Sequence, residues 1–246
     1  MRKLNKDILL RKPTLILFDT DNTLYDYIPA NKAAEEAVFR KANSLIGIKR
    51  KKFFEFYLKA KSEVKKNLSN TASSHSRLLY FQRMIELLGF NAQLLFALDL
   101  EQTFWRTFLA NAKLFPKVIE TLTYLKSQKI KIGVVTDLTS HIQLRKLTYF
   151  GLEEIFDVVV TSEEVGHDKP DKKNFFLAME KLNLPKSTDF WMIGDNPKAD
   201  IYGAKSIGGT TFQKIHNKVE IGKGCYAPDF VFNDFCGLLK EIKKII

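Results

Sequence analysis

Two aspartates, Asp19 and Asp21, stand two residues apart directly after the apolar run Thr14 to Phe18. Carboxylates this close repel one another, so a pair at one strand end calls for a proton or a cation to hold it. Further candidates follow later apolar runs: Thr136 and Asp137, then Lys169, then Gly194, Asp195, Asn196 and Asp200. If these runs are parallel strands, their following residues meet at one sheet edge, where ligands of open α/β sheets bind. Carboxylates, a hydroxyl and a lysine gathered there suit phosphoryl transfer around a hard divalent ion. Magnesium is the expected ion, because it is held by one or two carboxylates together with substrate phosphate and water. One of the first two aspartates can attack phosphorus in line, and the other can move the proton of the leaving oxygen. Thr136 and the Lys169 ammonium would hold the non-bridging oxygens, with Asp137 beside them in the phosphate site.

The elements that must position these residues alternate regularly in the second half of the chain. Apolar runs at 130–135, 156–160, 190–193, 210–212 and 230–232 read as strands. Helical patterns lie between or after them at 117–128, 140–150, 172–182, 199–207 and 235–245. The expected fold class is therefore α/β, with a parallel sheet and helices on its faces. Residues 26–113 break the rhythm and read as four helices, at 31–43, 49–67, 74–88 and 92–112. A stretch of that length cannot be a loop and is expected to be a subdomain inserted after the first strand. The expected division is a core of residues 1–25 and 114–246 and a helical insert of residues 26–113.

These motifs resemble, in order and strand-end placement, those of the haloacid dehalogenase superfamily of phosphohydrolases. The residues that carry the resemblance are Asp19-Thr20-Asp21-Asn22-Thr23, Thr136, Lys169-Pro170, and Gly194-Asp195-Asn196-Pro197-Lys198-Ala199-Asp200, and it spans 14 to about 212. It implies a Rossmann-like three-layer core with a helical cap of the C1 type. It also implies Asp19 as nucleophile and Asp21 as acid/base, acting on a small phosphorylated substrate such as a sugar phosphate or nucleotide. Magnesium would be held by the Asp19 carboxylate, the Asp21 main-chain carbonyl and Asp195, with Asn196 and Asp200 in support. A dehalogenase is disfavoured, because that branch lacks the second aspartate of the first motif. A phosphomutase or a phosphonatase of the same superfamily remains as an alternative reading. Asp137 departs from the Asn or Gly frequent at its position and adds a negative charge beside the phosphate site.

Lys and Arg number 39 against 28 Asp and Glu, a net charge of +11. Such a surplus invites a nucleic-acid partner. Eight basic residues between Lys49 and Lys66, against Glu55 and Glu63, concentrate it on one helix of the insert. A solvated amphipathic face, with Phe53, Phe54, Phe56, Tyr57 and Leu58 packing inward, is the expected reading. Nucleic acid is accordingly not the expected partner, and a basic binding module is the remaining alternative function. Within the insert, His75 and Arg77 are candidate substrate contacts, Ser73 or Ser74 is the expected helix cap, and Phe104 and Trp105 are expected in the core. Two cysteines, Cys225 and Cys236, are too few for a disulfide framework or a four-ligand zinc site, and are expected to be reduced structural residues of a cytoplasmic protein. No apolar run approaches the length of a membrane span.

Overall fold

The computed structural model describes residues 1–216 and 219–246, which form two compact units, Met1–Asp26 with Lys113–Ile246 and Tyr27–Ala112. The first unit is α/β. Its strands are β1 (Arg2–Lys3), β2 (Leu15–Phe18), β3 (Lys131–Thr136), β4 (Val158–Thr161), β5 (Phe190–Gly194), β6 (Thr210–Lys214) and β7 (Phe230–Phe232). They form one sheet in the order β1-β7-β6-β5-β2-β3-β4. Every pairing is parallel except that of β1 with β7. From β2 the chain passes to β3 and β4 on one side, then returns to β5, β6 and β7 on the other. The reversal between β2 and β5 opens a crevice at the carboxyl ends of the central strands.

The central strands are apolar throughout because both faces are covered. Leu15 to Phe18 and Ile132, Val134 and Val135 are fully buried. The helices that cover the sheet are α5 (Val118–Ser127), α6 (Ser140–Tyr149), α7 (Ser162–Val165), α8 (Lys173–Lys181), α9 (Tyr202–Lys205) and α10 (Phe235–Ile245). Phe175, Ala178 and Met179 of α8 pack with Leu15, Leu17, Val160 and Phe190 in one apolar cluster. Burying a side chain of this size stabilises by about 1.5–3 kcal/mol.

The second unit is all helical, with α1 (Tyr27–Ile46), α2 (Arg50–Asn67), α3 (Arg77–Leu87) and α4 (Leu94–Asn111). Ala30, Ala34, Val38 and Ala42 form a buried stripe of small residues at every fourth position of α1. Against it and α2, Phe53, Tyr57, Tyr80, Phe81, Phe104, Trp105 and Phe108 build an aromatic core, with Phe104 and Trp105 edge to face at 5.0 Å. Such pairs add about 0.5–1.5 kcal/mol to their area burial.

Several local expectations are corrected. The two-residue β1 has too few positions for an alternating pattern, yet it pairs Arg2 with Val231 and Lys3 with Phe230. Helix α1 starts at Tyr27, with Pro29 inside the first turn, where an N–H has no intrahelical partner in any case. Ser74 lies in a 3₁₀ turn over Ala72–His75, and the cap of α3 is Ser76, whose hydroxyl accepts from Leu79 N at 3.3 Å. Leu58 points outward and is 58% exposed, because it follows Tyr57 on the opposite side of the helix from Phe53 and Ala60. Cys225 and Cys236 are free and exposed, so neither packs in the core. Among the described residues no helix is long and apolar enough to cross a membrane.

Candidate active site

Asp19 continues β2 by one residue, its N–H bonding to Ile193 O of β5 at 2.9 Å, so it enters the crevice at the point where the strand order reverses. Its carboxylate is almost wholly buried. Oδ1 accepts from Lys169 Nζ at 2.7 Å and Oδ2 from Thr23 Oγ1 at 3.1 Å. The same ammonium donates to Asp200 Oδ1 at 2.7 Å and to Val135 O at 2.8 Å. Lys169 therefore sits, 1% exposed at its side chain, between two carboxylates and the end of β3.

The backbone after β5 explains how Asp200 gets there. Asn196 caps the next turn, its Oδ1 accepting from Lys198 N at 3.0 Å and Ala199 N at 3.1 Å, with Pro197 in the first helical position. The cap is thus Asn196, and Asp200 lies in the first turn that follows it. The turn over Pro197–Ile201 is wound as a π-helix, an arrangement frequent at functional sites. It brings Asp200 Oδ2 back onto Asn196 N at 3.0 Å, against Gly194. A Cβ on Gly194 would fall onto the Asp200 carboxyl group.

Asp19, Asp195 and Asp200 each offer a carboxylate oxygen, all within 4.8 Å of one another. Burial, opposed in part by Lys169, pushes the Asp19 carboxyl up to about 7. Burial together with the charges of Asp19 and Asp200 pushes Asp195 up to about 8. Asp200 is raised by burial too, against the pull of Lys169. Burial alone would lower Lys169, but the charges of Asp19, Asp200 and Asp137 outweigh it and hold the ammonium well above its ordinary value. One lysine thus leaves the three carboxylates with surplus negative charge. A hard oxygen donor set of this kind fits a divalent cation. Both oxygens of Asp19, on Lys169 and Thr23, and both of Asp200, on Lys169 and Asn196, already accept a hydrogen bond.

The remaining core residues named from sequence are brought to the same strand ends. Thr136 is buried, its hydroxyl 2.8 Å from Thr20 Oγ1 and accepting from Gln143 Nε2 at 2.9 Å. The Asp137 carboxylate turns to the main chain of the Lys169 loop, where Oδ1 accepts from Lys169 N at 2.8 Å. It therefore holds the loop that delivers Lys169. Burial raises this carboxyl to about 6. The Asp21 carboxylate accepts from Lys146 Nζ at 2.8 and 3.1 Å and from the Tyr25 hydroxyl.

Lys146 and Gln143 are functional candidates that the motifs do not contain. Their signal is nonetheless present in sequence, since both lie on the buried stripe of α6 with Ile142 and Leu147. A lysine and a glutamine among core positions need partners in the interior. His75 and Arg77 belong to the helical unit. The Arg77 guanidinium lies 5.1 to 5.6 Å from the rings of Tyr80, Phe104 and Trp105 and donates to His75 O at 2.6 Å and to the Tyr27 hydroxyl. It is a buried member of that unit's aromatic core.

A family model of haloacid dehalogenase-like hydrolases matches residues 16–213. The chain belongs to this family. It is 40% identical over 196 residues to a ribulose-1,5-bisphosphate 5-phosphatase from Halopiger xanaduensis, covering 79% of this chain and 82% of that protein. A glyceraldehyde 3-phosphate phosphatase from Methanopyrus kandleri is 32% identical over 235 residues, covering 94% of this chain and 97% of the relative. Among solved structures, a HAD phosphatase from Thermococcus onnurineus superposes with a TM-score of 0.68 at 26% identity, over 94% of this chain and 97% of that one. The protein is accordingly a haloacid dehalogenase-like hydrolase with a Rossmann-like core and phosphatases among its relatives.

Proposed function

We propose that this hydrolase is a magnesium-dependent phosphomonoesterase that cleaves a small sugar phosphate through an aspartyl-phosphate on Asp19. The observation that carries the reading is the buried Asp19 carboxylate at the sheet's switch point, bonded to Lys169 and flanked by Asp195 and Asp200. The two relatives whose names specify three- and five-carbon phosphate esters support the substrate class.

In this mechanism Asp19 attacks phosphorus and displaces the ester oxygen, which takes a proton from the Asp21 carboxyl group. Asp21, now ionised, removes a proton from the water that hydrolyses the acyl phosphate, so phosphate leaves and both aspartates return to their starting states. Lys169, reachable from Asp19 through a single hydrogen bond, balances charge on the non-bridging oxygens. Thr136, fixed by Thr20 and Gln143, supplies a hydroxyl at the end of β3. Asp19, the Asp21 carbonyl and Asp195 would hold magnesium, supported by Asp200 and Asn196. Bound there, magnesium supplies positive charge that offsets the clustered carboxylates and the transferring phosphoryl group.

The test is release of inorganic phosphate from a panel of small sugar phosphates and nucleotides, with and without Mg²⁺. The reading requires Mg²⁺-dependent release from at least one sugar phosphate and its loss in Asp19→Asn. Full activity in Asp19→Asn, or no activity on any ester, would count against it.

A further inference from the structure

The Lys146 side chain is 1% exposed, on the inner face of α6 where the pattern of Ile142 and Leu147 calls for an aliphatic residue. Burying an ammonium costs several kcal/mol unless a well-placed partner compensates. The partner is the Asp21 carboxylate, which keeps 32% exposure while Lys146 keeps almost none. The ammonium thus reaches Asp21 from inside the protein, and the open side of the carboxyl group is the side a substrate can approach. Lys146 Nζ donates to both oxygens, at 2.8 Å to Oδ1 and 3.1 Å to Oδ2, and the Tyr25 hydroxyl and Thr20 Oγ1 donate to Oδ1. Gln143, one turn before Lys146, fixes Thr136 from the same helix face.

Resting on the assignment of Asp21 as acid/base, we propose that Lys146 is a positioning residue for proton transfer. Its ammonium, bonded to both oxygens, holds the carboxyl group in one orientation, with its exposed side toward the leaving group. The clamp is compatible with both states of Asp21. In the neutral acid, the carbonyl oxygen still accepts from the ammonium while the hydroxyl donates to the ester oxygen. After the P–O bond breaks, the carboxylate keeps the same partner until it takes the proton of water. Helix α6 then has two duties at the strand ends, holding Thr136 through Gln143 and Asp21 through Lys146.

The experiment compares kcat/KM for p-nitrophenyl phosphate, whose leaving group departs without a proton, with that for an alkyl ester such as glyceraldehyde 3-phosphate. This parameter spans only the steps up to leaving-group departure, so the later hydrolysis does not enter. General acid catalysis contributes about 10²–10⁴-fold. The expected result is that Lys146→Met loses roughly 30-fold or more activity on the alkyl ester than on the aryl ester, in the same direction as Asp21→Asn. Lys146→Gln, which keeps one donor, should fall between wild type and Lys146→Met, and it carries the test alone if Lys146→Met does not fold. Equal losses on the two esters in a folded Lys146 variant, or no loss, would overturn the positioning role and leave Asp21 as acid. If Asp21→Asn itself shows no difference between the esters, the acid/base assignment fails, and the positioning role with it.

Discussion

Lys169→Met removes the cation bonded to both Asp19 and Asp200, each at 2.7 Å and all three buried. Breaking a buried pair by deleting one partner costs about 3–5 kcal/mol, because the remaining charge is left uncompensated. For a chain of this length each kcal/mol moves Tm by about 2–4 °C, so the melting point should fall by roughly 6–20 °C. The cost must depend on pH, with a definite sign. Asp19 and Asp195 have folded-state values of about 7 and about 8, above the 3.8 of a free aspartate. A group raised in this way contributes stability below its unfolded value and loses it as pH rises through the folded one. Losing Lys169, which lowers both, raises them further. Near pH 5.5 the carboxyls left behind can stay protonated, and the cost shrinks toward that of lost hydrogen bonds, about 1 kcal/mol. Near pH 8.5 they are driven to ionise, and the full penalty returns. Thermal melts of wild type and variant in chelator, at both pH values, make the comparison. A Tm difference that is independent of pH, or absent, would refute this account of the cluster.

The same reasoning extends to other perturbations. Added Mg²⁺ should raise wild-type Tm more near pH 8 than near pH 5.5, with about 2.7 kcal/mol of stabilisation at a hundredfold excess over Kd; Asp195→Asn should lose most of it, as calorimetric melts can show. Gly194→Ala should displace the Asp200 carboxyl, lowering kcat at least tenfold while its circular dichroism stays that of the wild type; wild-type activity would contradict the close packing at Gly194. Phe104→Ala should cost about 3–5 kcal/mol, measured by denaturant unfolding, because Phe104 is fully buried between Phe81, Trp105 and Phe108.

How much of this was legible in the sequence differs from element to element. Strand β2 and helix α10 could be read almost to the residue, because an unbroken apolar run and a strong helical stripe leave no competing period. The convergence of Asp19, Thr136, Lys169 and Asp200 could be inferred from strand ends alone, since a parallel sheet brings them to one edge. Strand β1 could not, because two residues have no period. The cap at Asn196 could not be singled out, because Asp195 beside it is an equally good cap by type. Lys146 and Gln143 were missed for a different reason. A lysine in a helix reads as solvated unless its position on the apolar stripe is weighed above its charge. The bond from Lys169 N to the Asp137 carboxylate could not be read either, because the two residues stand 32 apart in the chain. Arg77 looked like an anion contact by type, and the rings of Tyr80, Phe104 and Trp105, two of them on another helix, decide its surroundings.

The central claim is that Asp19 becomes covalently phosphorylated. Acid quenching of the enzyme during turnover of a sugar phosphate, followed by peptide mass spectrometry, tests it directly. The account predicts one added phosphoryl group on Asp19 that appears with substrate and Mg²⁺ and decays as substrate is exhausted. Continued turnover with no phosphorylated peptide, or with the phosphoryl group on a different residue, would contradict it.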